Sequence, residues 1–177
     1  MAKLHGDVTA EDHSKGDVSA KVTLVEYGDY QCPDCGVAYR ELERVFAHYG
    51  DDVATTLRFV FRNFPLEMHA MAEPAAEVAE YAASKGKFWE MHDTIFEHQG
   101  RLSEAMLSDL AKRVGLSADA ATEAIEEQSF VEKIDADMET GERSGVHGTP
   151  TFFINGVEFE DDYSAENLIA AINAARA

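Results

Sequence analysis

Between about Glu67 and Gly141 the apolar residues recur only at helical spacing, while strand-like runs stand on both sides of this block. Few folds accommodate that order. Pro74 to Ala83 reads as one helix, and Phe88, Met91, His92, Ile95 and Phe96 form the stripe of a second. Ser103 caps a third, with Leu107, Leu110 and Val114 facing inward before Gly115 stops it; Ser117 opens a fourth, and Val131, Ile134 and Met138 mark a fifth. Upstream, Val22 to Tyr27 has the composition of a buried strand and is bounded by Gly28-Asp29. A helix follows from Pro33 to Gly50, carrying Ala38, Leu42, Val45 and Tyr49. Thr55 to Phe61 alternates well enough for a central strand, although Val60 breaks the alternation, and Asn63-Phe64-Pro65 ends it. Downstream, Asn155-Gly156 between Thr151–Ile154 and Val157–Phe159 is a strong hairpin signal, and Ser164 caps a closing helix through Leu168, Ile169 and Ile172. The expectation is an α/β domain built from residues 21–66 and 145–177, with an all-helical subdomain, 67–144, inserted into it. Residues 1–20 lack hydrophobic period and read as a polar leader or frayed tail.

Length and charge exclude several function classes. A chain of 177 residues fits one domain with an inserted subdomain. With 34 acidic against 15 basic side chains, the formal net charge is −19. This argues against a grip on phosphate backbones, and nucleic acid is not expected as a partner. No apolar run reaches the roughly 18 residues of a membrane span, so membrane insertion is not expected either. The first residues carry no apolar core of a secretory signal, which points to a cytoplasmic protein; a signal removed beforehand would instead make it periplasmic or extracytoplasmic. The acidity can suit a high-salt habitat but speaks mainly to solubility.

The two cysteines, Cys32 and Cys35, stand three residues apart at the junction of the first strand and its helix. So short a loop makes a poor structural staple, because the stabilisation from a disulfide grows with the loop it closes. Redox chemistry or half of a metal site remains. At a helix N-terminus, unpaired N–H groups and the helix dipole favour a thiolate, which makes Cys32 the candidate nucleophile. Cys35, one turn on and better shielded, would resolve a mixed disulfide. Pro33 presets the first helical position without losing a needed hydrogen bond. Glu26 interrupts an apolar strand: pointing inward it would be a desolvated acid able to move a proton to or from Cys35, and pointing outward it is an ordinary surface carboxylate. Pro150, at the head of a strand, reads as an ordinary edge or turn proline. A zinc site needs a second ligand pair, and His5, His13, His48, His69, His92, His98 and His147 offer no suitable spacing. His92 on its apolar face, and Phe88-Trp89 beside it, read as core. A holdase or binding module with incidental thiols competes with the enzyme, as does a glutathione-dependent transferase; Cys35 speaks against the transferase.

The chain resembles the DsbA-type thiol–disulfide oxidoreductases of the thioredoxin-like superfamily. The resemblance rests on Glu26, on Tyr30-Gln31-Cys32-Pro33-Asp34-Cys35, on Phe61 to Leu66, on Gly86-Lys87-Phe88-Trp89, and on Gly145 to Phe153 with its Thr149-Pro150-Thr151 core. It implies a thioredoxin-like fold with a helical insert and a redox-active Cys32–Cys35 disulfide without an organic cofactor. It further implies a buried proton-transferring Glu26, a cis Pro150 packed opposite the sulfurs, and a Thr149 offering backbone hydrogen bonds to substrate. Partners would be protein or small thiol and disulfide substrates, together with a recycling redox partner. One departure matters: strongly oxidising members carry His where Asp34 stands. An anion there should raise the Cys32 pKa relative to them and hold the potential inside the span of roughly −270 to −120 mV. A reducing compartment, expected where there is no signal peptide, favours a reductase or isomerase role or a redox-stress function over net oxidation.

Overall fold

A computed structural model describes all of residues 1–177. Five strands form one sheet in the order β1-β3-β2-β4-β5: β1 (His13–Lys15), β2 (Val22–Gly28), β3 (Leu57–Asn63), β4 (Thr151–Ile154) and β5 (Val157–Phe159). β2 and β3 run parallel and are joined over one face by α1 (Pro33–Tyr49), whereas every other neighbouring pair is antiparallel. A parallel pair needs such a crossover, and helices then cover it. The single turn α2 (Val53–Thr56) leads into β3, so the strand begins two residues later than its β-branched composition indicates.

Strand β2 is buried on both sides. Val22 and Leu24 join the large core shared with α1 and the helical insert, while Val25 and Tyr27 join a smaller core with Val60, Phe64, Val146 and Phe153. This is why Val60 breaks the alternation: it belongs to the second core rather than to solvent. The insert comprises α3 (Ala72–Ser84), α4 (Phe88–Glu97), α5 (Glu104–Arg113), α6 (Ala118–Glu127) and α7 (Val131–Arg143), and α8 (Ala165–Ala175) closes the chain against α1. Ser103, Ser117 and Ser164 each accept a backbone N–H from the residue three positions on, at 3.1, 3.1 and 3.3 Å. The last inserted helix, α7, brings the chain back to the sheet. Its Asp137 accepts the backbone N–H of Asn63 at 2.9 Å, and its Thr140 hydroxyl meets that of Tyr27 at 2.8 Å.

Residues 1–20 are not a frayed tail. β1 pairs with the edge of β3, and Lys3 bridges to Val157 at the opposite edge of the sheet. Polar anchors stand in for the missing hydrophobic period: Asp12 pairs with Arg62 at 2.8 Å, and His13 reaches Glu80 at 2.8 Å with its ring stacked on Phe88.

Candidate active site

The period of β2 decides where Glu26 points. Residues 22, 24 and 26 share one face, and the first two lie in the core beneath α1. Glu26 is therefore turned inward, is 2% exposed, and has an Oε1 with no hydrogen-bond partner. Burial first, and a charge on Cys32 second, push its carboxyl up to about 8. Of the two directions open to this side chain, the inward one holds.

Past β2 the chain turns through residues 29–32 and enters α1 with Cys32 as its N-cap and Pro33 as its first helical residue. Cys35 is wholly buried, whereas Cys32 keeps 6% of its surface in solvent, and both are free thiols. The two sulfurs are driven apart electrostatically. Cys32 is pulled down to about 5, chiefly because the Cys35 thiol donates to it; burial opposes this, and the Thr149 side chain and the N–H groups of Cys35 and Asp34 add to it. Cys35 is pushed up by burial, by its bond to Cys32 and by the charge of Glu26. When protonated, Cys32 Sγ reaches the carbonyl of Thr149 at 3.5 Å. The Thr149–Pro150 peptide is cis, and this turn lies against Cys32 just before β4. Pro33 and Asp34 are exposed. His92 is buried, its Nδ1 3.0 Å from the Tyr30 hydroxyl, and burial pushes its pKa down.

Two residues at this site escape a reading of the sequence. Asp29 is 1% exposed; its Oδ1 accepts the backbone N–H groups of Gln31 and Cys32 at 2.8 and 3.1 Å, and its Oδ2 accepts from Leu66 N and His69 Nδ1 at 2.9 and 2.7 Å. An Asp ahead of a helix that bonds residues two and three positions on is an Asx turn, a local signal that could have revealed it. The other is Gln99, in the 3-10 turn Gln99–Arg101 after α4, whose Nε2 donates to the carbonyls of Tyr30 and Cys32 at 3.0 and 2.6 Å. Nothing local announces it, because its partners lie almost seventy positions upstream.

Chemically, an accessible, acidified sulfur beside a buried, basic one, with a protonated carboxyl beneath them, can exchange disulfides by two sequential displacements. The chain matches a family model described as Thioredoxin over residues 8–174. It is 40% identical over 165 residues to Na(+)/H(+) antiporter NhaA 1 of Salinispora arenicola, covering 93% of this chain and 24% of the antiporter. The chain thus spans about a quarter of the length of the curated relatives it matches. Among solved structures, oxidised BdbD from Bacillus subtilis superposes with a TM-score of 0.87 at 22% identity, covering 99% of each chain. DsbA2 of Pseudomonas aeruginosa superposes with a TM-score of 0.71 at 25% identity, covering 95% of this chain and 96% of the other.

Proposed function

The chain belongs to the thioredoxin-like, DsbA-type thiol–disulfide oxidoreductases, and from that premise we propose how its residues divide the work of exchanging disulfides with protein substrates. The family's redox group is the cysteine pair, without a bound cofactor. In the oxidised enzyme a substrate thiolate attacks Cys32 Sγ, since Cys32 alone of the pair keeps surface in solvent. The Cys32–Cys35 bond breaks, a mixed disulfide forms, and Cys35 leaves as a thiolate. Glu26, still protonated at neutral pH, supplies the proton that Cys35 needs. A second substrate thiolate then attacks the substrate sulfur of the mixed disulfide and expels Cys32 as a stabilised anion. The substrate loses two electrons and the enzyme gains them; a recycling partner must remove them. In this reading Thr149 and Pro150 present the surface along which the substrate segment lies, an assignment supported by the approach of the Thr149 carbonyl to Cys32.

The observation that carries the reading is the placing of Cys32 at the mouth of α1, 6% exposed, beside a wholly buried Cys35, a setting that lowers the pKa of the first thiol and raises that of the second. A stabilised thiolate lowers the energy of the dithiol form, so the disulfide is an oxidant and the protein donates disulfides. A second reading, a reductase or isomerase, is favoured by the exposed Asp34, whose charge opposes an anion on Cys32. Equilibration in glutathione buffers with thiol counting separates them. A potential toward the oxidising end of roughly −270 to −120 mV supports disulfide donation in a compartment where disulfides persist. A value near the reducing end supports the reductase in a reducing compartment, and a pair that never oxidises defeats both.

A further inference from the structure

The turn that carries the nucleophile is fastened to the helical insert by side chains. The Tyr30 hydroxyl meets His92 of α4 at 3.0 Å, and Gln31 Oε1 accepts the backbone N–H of Met71, just ahead of α3, at 2.7 Å. Gln99 makes the contact nearest the chemistry. Its Nε2 donates to the carbonyl of Cys32 itself at 2.6 Å and to that of Tyr30 at 3.0 Å. Since Cys32 O also accepts the Gly36 N–H at 3.2 Å, both lone pairs of the nucleophile's own carbonyl are engaged.

Gly36 fits the same design. It is buried in the first turns of α1, where glycine lowers helix propensity and its backbone has no need of positive φ. A Cβ at this position would drive into Gln99 Oε1. The helix gives up propensity at Gly36, which leaves room for the Gln99 amide to come close and reach Cys32 O.

We propose that Gln99 is a positioning residue of the redox reaction: from the helical insert it saturates the carbonyls of Tyr30 and Cys32 and so holds the turn in the form that favours a thiolate on Cys32. A carbonyl oxygen beside a sulfur anion presents partial negative charge to it, and a donor on that oxygen offsets the repulsion. The charge exists only in the dithiol form, so the amide stabilises the reduced enzyme over its disulfide. The inference rests on Cys32 being the nucleophile and adds that the insert tunes it.

The experiment compares the wild-type protein with Gln99→Leu, Gly36→Ala and the double variant. Two quantities are read: the pH titration of the thiolate absorbance, and the equilibrium with glutathione. Each single variant is expected to raise the Cys32 pKa and to cut the thiolate fraction at the wild-type midpoint by about two- to fivefold, with the glutathione equilibrium moving toward the protein disulfide by a similar factor. The double variant should show no more than the larger single effect, because Gly36→Ala acts by displacing Gln99. Gly36→Ala also raises helix propensity, so it decides the matter should Gln99→Leu not fold. Unchanged titration and equilibrium in the folded variants overturn the proposal, even if thermal stability falls, and additive effects of the two changes overturn the link between them. An ordinary thiol pKa for Cys32 in the wild-type protein would instead overturn the reading of the pair.

Discussion

Asp29 holds Cys32 by its backbone. The carboxylate takes the Cys32 N–H at 3.1 Å, while the N–H of Asp29 itself points to Cys35 Sγ at 3.4 Å, so one residue addresses both cysteines. Its side chain accepts four hydrogen bonds in a buried setting, two from the turn that carries Cys32 and two from the segment after β3. Asp29→Ala leaves these donors unmatched and should cost about 2–4 kcal/mol, whereas Asp29→Asn keeps an oxygen for Gln31 and Cys32 and should cost about half as much. Denaturant melts of the disulfide form, in which the thiols do not titrate, measure the difference. A cost below about 1 kcal/mol for the alanine variant would contradict the role given to the network.

What is legible in the chain is what is settled locally. Ser103, Ser117 and Ser164 cap their helices, and the Asn155-Gly156 turn has positive φ at both residues, 48° and 81°, as its type requires. The placing of Cys32 at a helix mouth is equally local, since Pro33 can begin a helix but not continue one. Glu26 cannot be oriented from its neighbours because β2 is buried on both faces, which erases the polar alternation that would show its direction. β1 is unreadable for the opposite reason. A three-residue edge strand held by backbone bonds and by Asp12 and His13 has no apolar pattern to detect. The Gln99 amide depends on how the insert docks, which no window of sequence contains.

The Asp12–Arg62 pair tests whether residues 1–20 are part of the fold. Both side chains are almost fully buried, at 7% and 4% exposure, and Arg62 also donates to Tyr27 Oη at 3.0 Å and to the carbonyls of Gly6 and Asp7. Burial works against the charge on Asp12, but bonding to Arg62 and to the Thr9 N–H outweighs it and holds the pKa below the usual carboxylate value. An acid depressed in the folded state contributes stability above its unfolded pKa and loses it as pH falls through the folded one. Asp12→Asn should therefore destabilise the protein by about 2–4 kcal/mol at pH 7, with the gap from wild type closing below about pH 4. A gap that persists unchanged at pH 3 would show that packing, not charge, is at stake.

Asp34 stands exposed between the cysteines, in the first turn of α1 and next to Cys35. Asp34→Asn removes an anion near the Cys32 sulfur, and Asp34→His adds a partial cation. Both should raise the reduction potential, His by about 30–60 mV and Asn by less, with the Cys32 pKa falling in the same order. An unchanged or lower potential in the His variant would refute the argument that this position sets the redox poise.

Glu26 and Cys32 bend the stability curve in opposite directions. Glu26 titrates near 8 in the dithiol protein and near its ordinary value of 4.5 when unfolded, so between those pH values the folded state holds one more proton and stability falls as pH rises. Cys32 titrates near 5 folded and near 9 unfolded; there the unfolded state holds the extra proton and stability rises with pH. From about pH 5 to 8 these two slopes oppose each other; the buried His92, pushed down, adds a rising slope below its unfolded value of 6.5, and Glu77, pushed up to about 7 by burial, adds a falling one. Cys32→Ser uncovers the falling slope of Glu26, and Glu26→Gln uncovers the rising slope of Cys32, each worth about 1–3 kcal/mol over the window once solvent screening at the partly open Cys32 is allowed for. In the disulfide form Cys32 no longer titrates, so relative to the dithiol form the wild-type protein should lose stability with rising pH, as the Cys32→Ser variant does. Urea melts at half-unit pH steps on both redox forms provide the measurement. A Cys32→Ser variant whose stability follows the same pH course as the wild-type dithiol form would show that Cys32 titrates elsewhere, and a Glu26→Gln variant that does so would show the same of Glu26.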